Sequence, residues 1–598
     1  MPRGARSTFV LALGLGLGAC ASDDGSGVRA TPVVDLRADS NRDGEVRFDE
    51  SDANKTEWNA TVGAVFLANI DDDAQRCPRT FDDAKIALCN DAADDVVNGP
   101  DDALDLARLR TRPWPEAPPG TVGRVRVAPA AAKRLVRLFK RTGPGPTDFE
   151  AIDEESMFSA REIAAGIELA IEAKDIVRDR DAWDGYVDVT FSVTTRAKTH
   201  AEDTVRLRVA PVLTFHHLLP AEIVWMADNS APSFQVTKED IEASSIAAGV
   251  GPVRLLDVSD QWAQDYFEAA FMSMPAEGGR QHVIRVNYRS ANMIGRTEEG
   301  VRLRPSGRVV FRMRGKDVAG VQEFDPDHGI AMDDLDSLGN FETVPPYEKD
   351  GVSFPFGRLL RGSTRAFYPD KRFMKMLDAQ GLQPPIEIDT SWLFIGHVDE
   401  TVSFVKAPTP RGWMLLVASP RLAEQMLEDA VRAGAGDTPM FVGKKWLDDA
   451  TGHEVPAEAT IAEVLADTQV MQASAEAAAE IDAQLEILKH ELGLTEDEII
   501  EVPFLHGIYR GMSIAYQPAM VNALYVSDTR LAAPDPHGPV IGGKDVFKAA
   551  LEERLAAIGI TVDWVEDWDA FHRFQGEVHC ASNVTRRIPE ARWWESGR

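Results

Sequence analysis

The sequence predicts an α/β protein with two parts: a β-sandwich in front of a larger region that mixes strands with helices. Three observations carry this. The chain has 598 residues, long enough for about three domains. Tyr186-Val-Asp-Val-Thr-Phe-Ser-Val and Thr204-Val-Arg-Leu-Arg-Val alternate with period two, the pattern of strands with one face in a core. Farther on, Ile481, Leu485, Leu488 and Leu492 recur at helical spacing and Gly493 supplies a C-cap. The first two place a sandwich over residues 34–212. The third predicts a helix over 472–492, its apolar stripe packed against a core or a partner, inside a second part spanning 213–598. No internal repeat is evident by eye, although divergent repeats escape such inspection.

Composition narrows the function. With 96 Asp+Glu against 64 Lys+Arg the formal net charge is −32, which argues against nucleic-acid binding because phosphate affinity comes from basic surfaces. A hydrophobic fraction of 44% and a charged fraction of 27% fit globular domains with real cores. The basic stretch from Arg124 to Arg141 lacks interleaved aromatics and reads as a solvated face, in preference to a patch for lipid headgroups or an acidic partner. Four cysteines, Cys20, Cys77, Cys89 and Cys580, are too few for a disulfide scaffold.

The first nineteen residues read as a secretory signal: Arg3 and Arg6, then a short apolar stretch from Phe9 to Ala19, too short to span a bilayer. Leu17-Gly18-Ala19-Cys20 resembles a bacterial lipobox, which implies cleavage before Cys20 and its acylation. The alternative is an ordinary signal peptide with a coincidental cysteine. Residues 20–33 are small and polar, as a tether should be. The expected location is therefore the bacterial cell envelope, on the periplasmic or outer-membrane face, or outside the cell. Such a compartment is oxidising and rich in calcium.

Two acidic segments suggest calcium. Asp39, Asn41, Asp43, Gly44 and Glu50 match D-x-[DN]-x-[DN]-G-x5-E, in which alternating side-chain oxygens turn toward one centre and a final glutamate closes the shell. A polar hairpin tip is the alternative, and no flanking helices are evident. Residues 71–105 hold a denser cluster, with Asn69, Asp71, Asp73, Asp91, Asp94, Asp102 and Asp105 as candidate ligands. Unneutralised, these carboxylates would repel one another; a solvated acidic loop is the competing reading. Cys77 and Cys89 flank the loop and either pair or remain two thiols.

Chemistry gathers in the second part. Cys580, in Gly576-Glu-Val-His579-Cys580, is a lone cysteine and so a candidate nucleophile, although a buried structural cysteine is the commoner case. Gly396-His397-Val398-Asp399-Glu400 sets an imidazole and a carboxylate two residues apart. Asp260-Gln-Trp262-Ala-Gln264-Asp265 adds another carboxylate beside an aromatic wall. His216 and His217 read as ordinary strand-end residues, because no partner spacing supports zinc. Arg592-Trp593-Trp594 reads as a closing aromatic clamp.

These segments, with QDYFEAAF, LDSLGNFETVPPY, FPFGRLLRG, SWLFIGHVDETVSFV, KHELGLTEDEIIEVP, MVNALYV, GPVIGGKD and GEVHCASNVTRR, resemble the catalytic domain of the protein-arginine deiminases, in that family's order from about Trp225 to Trp594. The first part resembles the family's immunoglobulin-like middle domain; the family's N-terminal domain is expected to have no counterpart, its place taken by the tether. The resemblance implies a five-bladed α/β propeller (the pentein fold) and calcium-dependent conversion of peptidyl-arginine to peptidyl-citrulline and ammonia. It implies Cys580 as nucleophile, Asp265 and Asp399 gripping the guanidinium, His397 as acid and base, and Trp262 and Arg289 binding substrate. It implies Ca2+ on Gln264, Glu268, Glu342 and the carbonyls of Leu338 and Phe341. Further ions would be held by Asn69, Asp71, Asp73, Asp91, Asp94, Asp102, Asp105, Glu168 and Asp317.

The sequence also departs from that family. A further calcium site would need acids where Tyr266 and Val286 stand, and is expected to be absent. The companion of Arg289 falls on Ala291, and another arginine falls on Phe574. These changes leave peptide against free arginine open. Two alternatives stand: a deiminase of free arginine or another small guanidino compound, and a catalytically inactive calcium-binding surface module.

Overall fold

The computed structural model describes residues 31–79, 82–297, 300–327, 333–364, 369–448 and 451–597. The signal segment 1–19, Cys20 and most of the 20–33 tether lie outside them. Among the described residues no helix is long and apolar enough to cross a membrane.

Over 34–212 the chain builds two five-stranded sheets. One runs Leu36–Ala38, Ala107–Thr111, Glu168–Ala173, Val136–Arg141, Phe149–Ile152 in spatial order; the other runs Ala64–Phe66, His200–Val209, Tyr186–Thr194, Val122–Ala128, Phe158–Ser159. The alternating segments read from sequence pair as antiparallel neighbours, Val189 opposite Val205. Leu109, Leu169 and Ile171 of one sheet and Val125, Val187, Val189 and Leu207 of the other share one apolar core. Both sheets therefore bury one face against a common layer. The basic stretch is largely neutralised by neighbours: Lys133 by Glu154, Lys140 by Glu162, Arg141 by Glu168, and buried Arg137 by Glu172.

From 213 onward the same small unit recurs five times. Each unit is an antiparallel strand pair extended by a parallel third strand, reached through a crossover that contains a helix. The units are Phe267–Ala276, Arg280–Arg289, Val318–Val321; Phe341–Val344, Arg358–Ser363, Ile386–Asp389; Val402–Lys406, Trp413–Ser419, Ile499–Pro503; Leu524–Ser527, Arg530–Pro534, Thr561–Val565; and Ser582–Arg586, Ala221–Ala227, Arg254–Leu256. The last unit borrows its first strand from the chain end. Sequence inspection missed the repeat because the crossovers differ so much: five helical residues, Val309–Met313, in one, and the 25-residue helix Thr468–Leu492 in another. That helix overlaps the expected 472–492 span. It buries Ile481, Leu488 and Leu492 and ends on Gly493 in the left-handed region at φ 65°.

The chain end is anchored as the aromatic pattern suggested. Trp593 and Trp594 are buried, Trp593 stacks on Trp58 with centroids 5.7 Å apart, and its Nε1 donates to the Ser273 carbonyl at 2.8 Å. Arg42 donates to the Trp594 carbonyl at 3.0 Å, tying both parts to the C-terminus. Trp593→Ala is expected to cost about 3–5 kcal/mol, the range for emptying a buried aromatic site. Its melting temperature should fall accordingly, and a change inside experimental error would show that the clamp is not a packing element.

Candidate active site

The five repeated units present their chemistry at equivalent points. Asp265, Gly339, Asn522 and Cys580 each stand two residues before the first strand of a unit, and Asp399 stands three before one. These entry segments bond to one another. Leu338 N–H donates to the Asp265 carbonyl at 2.9 Å, Gln264 N–H to the Cys580 carbonyl at 3.2 Å, and His579 N–H to the Asn522 carbonyl at 3.2 Å. The Asn522 side chain donates to the Asp399 carbonyl at 3.2 Å.

Cys580 lies buried on the short helix Val578–Ala581. Its Sγ is 3.7 Å from Asp399 Oδ2 and accepts from Asn522 Nδ2 at 3.3 Å. Asp399 Oδ2 also meets His579 Nδ1 at 2.9 Å, while its Oδ1 is buried with no hydrogen-bond partner. The His397 ring meets the Asp334 carbonyl through Nε2 at 2.9 Å, and its Nδ1, 3.9 Å from Asp265 Oδ1, faces inward unbonded. Cys580, His397 and Asp265, with Trp262, Arg304 and Phe574, surround a slot of about 260 Å³, and Asp399 adjoins it through its contact with Sγ.

Burial pushes the Cys580 thiol well above its ordinary range, and the negative charges of Asp399 and Asp265 add to that rise. Burial also disfavours the His397 imidazolium, but Asp265 and Asp399 outweigh it and its pKa is raised. The resting pair is thus a thiol beside an imidazole inclined to hold its proton. A cation placed between the carboxylates reverses the first tendency.

Sequence reasoning missed Arg304. Its Nε and Nη2 grip Asp260 at 2.7 and 2.8 Å, while Nη1 donates to Asp265 Oδ2 at 2.8 Å, so Asp265 already holds a guanidinium group. Asn522 was also missed as a site residue, although the MVNALYV stretch contains it. Arg289 corrects an expectation. Its fully buried guanidinium donates to Asp83 and Gln322 at 2.7 and 2.6 Å and to the Arg304 carbonyl at 3.0 Å, so it supports Arg304 from behind and does not line the slot.

The acidic cluster is assembled much as its residues suggested. Asp71, Asp73 and Asp105 converge, as do Asp105, His282 and Asp317. Asn69 Oδ1, Asp71 Oδ1, Asp73 Oδ2 and Asp105 Oδ2 are buried with no hydrogen-bond partner. Orphaned hard oxygens at this density fit a calcium ion. Asp317 N–H donates to Asp71 and Asp73 at 3.0 and 3.2 Å, joining the two parts of the chain. Asp102 accepts from Asn69 at 2.7 Å, and buried Asp91, which accepts from Asp73 N–H at 2.7 Å, shares Arg76 with the more exposed Asp94. Cys77 and Cys89 form a disulfide, Cα atoms 5.7 Å apart.

Two ligand expectations are corrected. Glu168 pairs with Arg141 at 3.0 Å; Glu172, two pleats along the same strand face and so about 13 Å away, is the glutamate that reaches Asn69, at 2.9 Å. In the Asp39 loop, backbone N–H groups of Asp43 and Gly44 donate to Asp39 at 3.0 and 2.9 Å, and Asn41 donates to Asp43 at 2.9 Å. Glu50, however, is exposed. The carboxylate that closes this loop is Asp52, which accepts from Ser40, Asn41 and Arg47 N–H groups.

Near the cleft, Gln264 Nε2 donates to Glu268 at 3.1 Å and to the Leu338 carbonyl at 3.2 Å, and Phe341 opens the adjoining strand. Glu342 Oε1 is a buried orphan. Oxygen donors therefore gather where the calcium set was expected. His217 corrects its bland reading: its Nε2 is in direct contact with Glu342.

A buried thiol facing two carboxylates and an imidazole is a site built for a small planar cation. Comparison with known proteins agrees. The protein-arginine deiminase family model matches residues 199–595. The type-4 enzyme of Rattus norvegicus is 27% identical over 94% of this chain and 82% of its own, and the type-1 enzyme of Homo sapiens is 28% identical over the same shares. The type-3 enzyme of Rattus norvegicus reaches 30% over 66% of this chain and 56% of its own. Among solved structures, C. jejuni agmatine deiminase aligns over 64% of this chain and 98% of its own at 11% identity and a TM-score of 0.35. The chain belongs to the protein-arginine deiminase family, and is a hydrolase of guanidino C–N bonds.

Two expected outcomes test this geometry. A Cβ on Gly339 would lie 2.5 Å from His397 Nδ1 and 3.2 Å from Asp265 Oδ1. Gly339→Ala should therefore cut turnover by about 100-fold or more, as displacement near reacting groups does, with little loss of melting temperature; wild-type kinetics would contradict the packing. Asp399→Asn removes one of the charges that raise the Cys580 pKa. Its thiol should alkylate faster with iodoacetamide at pH 7, read by peptide mass spectrometry, even as turnover is lost. Slower alkylation would reverse the sign argued here.

Proposed function

We propose that this protein hydrolyses the guanidinium of peptidyl-arginine to peptidyl-citrulline and ammonia in a calcium-dependent manner. The observation that carries the proposal is the convergence of Asp265, His397 and Cys580 on one slot, with Asp399 3.7 Å from the thiol sulfur and Asp265 already in a guanidinium contact. In this reading the five repeated units are the blades of a five-bladed α/β propeller, and the two-sheet part is the immunoglobulin-like domain of the family.

The steps follow from the residues. Asp265 and Asp399 take N–H donors of the substrate fork, matching its plane and charge. The substrate cation offsets the carboxylates that hold Cys580 protonated, and the thiol proton passes to solvent. The thiolate attacks the guanidinium carbon to form a C–S bond. His397, inclined to hold its proton, gives it to the departing nitrogen, and ammonia leaves a thiouronium on Cys580. His397 then takes a proton from water. The resulting hydroxide adds to the same carbon, the C–S bond breaks, and a ureido group remains. Trp262 walls the apolar stem of the arginine side chain. Asn522, donating to Sγ, steadies the thiolate.

Calcium, on Gln264, Glu268, Glu342 and the nearby carbonyls, would supply charge that fixes the segment carrying Asp265. Lipidation at Cys20 and residence at the bacterial envelope belong to the same proposal, and that compartment supplies the ion.

The test is citrulline and ammonia release from an arginine peptide and from free arginine, with millimolar calcium and with chelator. Peptide turnover that needs calcium and falls to background in Cys580→Ala is expected. Turnover of free arginine alone would move the substrate to small guanidino compounds, and activity surviving in Cys580→Ala would overturn the mechanism.

A further inference from the structure

Behind the slot, the enclosed void that borders Gln264, Glu268 and Glu342 also holds a second donor set, of a different chemical kind. His217 Nε2, a Glu342 carboxylate oxygen and His579 Nε2 lie within 4.8 Å of one another, all three residues buried. His217 Nε2 touches Glu342 Oε2, His579 Nε2 is 3.7 Å from Glu342 Oε1, and the imidazole centroids are 5.4 Å apart. The three residues line a void of about 20 Å³, room for one ion or water, bounded also by Gln264, Glu268 and Arg586. Glu342 Oε1 is buried without a hydrogen-bond partner. Arg586 Nη1 donates to the carbonyls of Leu219 and Tyr525 at 2.9 and 3.3 Å, while its charge acts on Glu268 and Glu342 across the void.

We propose that this void is a transition-metal site, in which His217, Glu342 and His579 bind one zinc-class divalent ion. Calcium takes six to eight oxygens, whereas two imidazoles and one carboxylate with an open fourth position form a zinc donor set. Tetrahedral bonds of about 2.0–2.1 Å set ligand atoms roughly 3.3 Å apart, so His579 must draw in while His217 and Glu342 part from their direct contact. The outer shell is in place as well: His579 Nδ1 is bonded to Asp399 at 2.9 Å. This is the carboxylate–histidine–metal arrangement, which leaves Nε2 free to ligate. Binding replaces the direct contact between His217 and Glu342.

The consequence is antagonism. Glu342 serves both this set and the oxygen set expected for calcium, so the two ions exclude one another. A zinc-class ion on His579 also draws on Asp399, the carboxylate beside Sγ. Zinc would thereby oppose turnover, a consequence that rests on the proposed function, whereas the binding itself does not.

The experiment titrates the protein, free of any histidine tag, with Co2+ and reads its visible d–d absorption. One saturable site with the intense bands of a low-coordinate ion is expected, displaced by equimolar Zn2+ and retained in millimolar Mg2+. His217→Gln and His217→Asn, each confirmed folded by circular dichroism, should weaken Co2+ binding by more than about tenfold, a loss that even outer-shell changes can reach. His282→Gln, at the separate Asp105–Asp317 cluster, should leave it intact. X-ray absorption at the zinc edge of the wild-type complex should show scattering from two imidazoles and needs no variant. Absence of a saturable Co2+ site, bands unchanged in both His217 variants, or oxygen-only scattering would overturn the site. Relief of zinc inhibition in His217→Gln is read separately: if the proposed deiminase activity fails, that readout fails with it and the spectra stand.

Discussion

The pairing of Ser582–Arg586 with Ala221–Ala227 is the contact on which the rest depends. Four units draw all three strands from consecutive chain, but the fifth is completed only when the chain end returns to the start of the second part. Cys580 sits two residues before that returning strand, so the pairing register fixes where the thiol enters the slot. A one-residue slip would turn every side chain of the strand to the other face. Register is held by burial on both sides of it, with Val224 and Val584 in one apolar cluster. Beyond the strand, the Trp593 stack and the Arg42 contact to Trp594 prevent fraying. The anchor on the first part and the chemistry of the second are thus mechanically one device.

The second constraint is charge. Asp399 is buried and Asp265 and Glu400 are partly buried within one small site, and desolvation pushes the Glu400 carboxyl up to about 7. Such an arrangement resists ionisation of a further acid, and Cys580 is the group that yields. A resting thiol is a poor nucleophile and poorly oxidised. The substrate carries the charge the site lacks, so a correct ligand creates the reactive state that a neutral one would not. Arg304 meets the same demand from within the protein, and Arg289 braces it.

What was legible in the sequence was what side-chain chemistry and local spacing dictate. The alternating strands, the long helix and its glycine cap, the thiol with its His-x-Asp partner, and the aspartate cluster were all legible because each is local or chemically unusual. The five-fold repeat was hidden, since its signal lies in strand order and the crossovers vary in length. Glu50 and Asp52, or Glu168 and Glu172, cannot be told apart by composition. Which member of a near-equivalent pair points inward depends on turn geometry and strand register. Arg304, Asn522 and His217 share a different obscurity. Their partners lie 39, 58 and 125 residues away, and nothing local marks an arginine, an asparagine or a histidine as facing a site.

The same electrostatic logic extends to the cluster that joins the two parts. Burial and neighbouring aspartates push Asp71 and Asp105 well above the carboxylate range, and Asp73 up to about 6. An acid whose folded pKa lies above its unfolded value holds more protons when folded. Its contribution to stability is therefore lost as pH rises from the unfolded pKa through the folded one. For Asp73 that window runs from about 4 to about 6. Near neutrality these carboxylates favour the unfolded chain unless a cation is present. A divalent ion bound there reverses the sign, because it favours the ionised form that burial opposes. Asp317 reaches into this cluster from the second part through its own backbone N–H, on a residue held at φ 55°. Filling the cluster would consequently stiffen the strand Val318–Val321, which is parallel to Arg280–Arg289. That strand pairs in turn with Phe267–Ala276, whose entry segment carries Asp265. The ion cluster and the guanidinium grip are therefore separated by a single three-strand ladder. Calcium bound in the cluster, as proposed, would have a structural route to the active site through that ladder, in addition to the proposed one at Gln264.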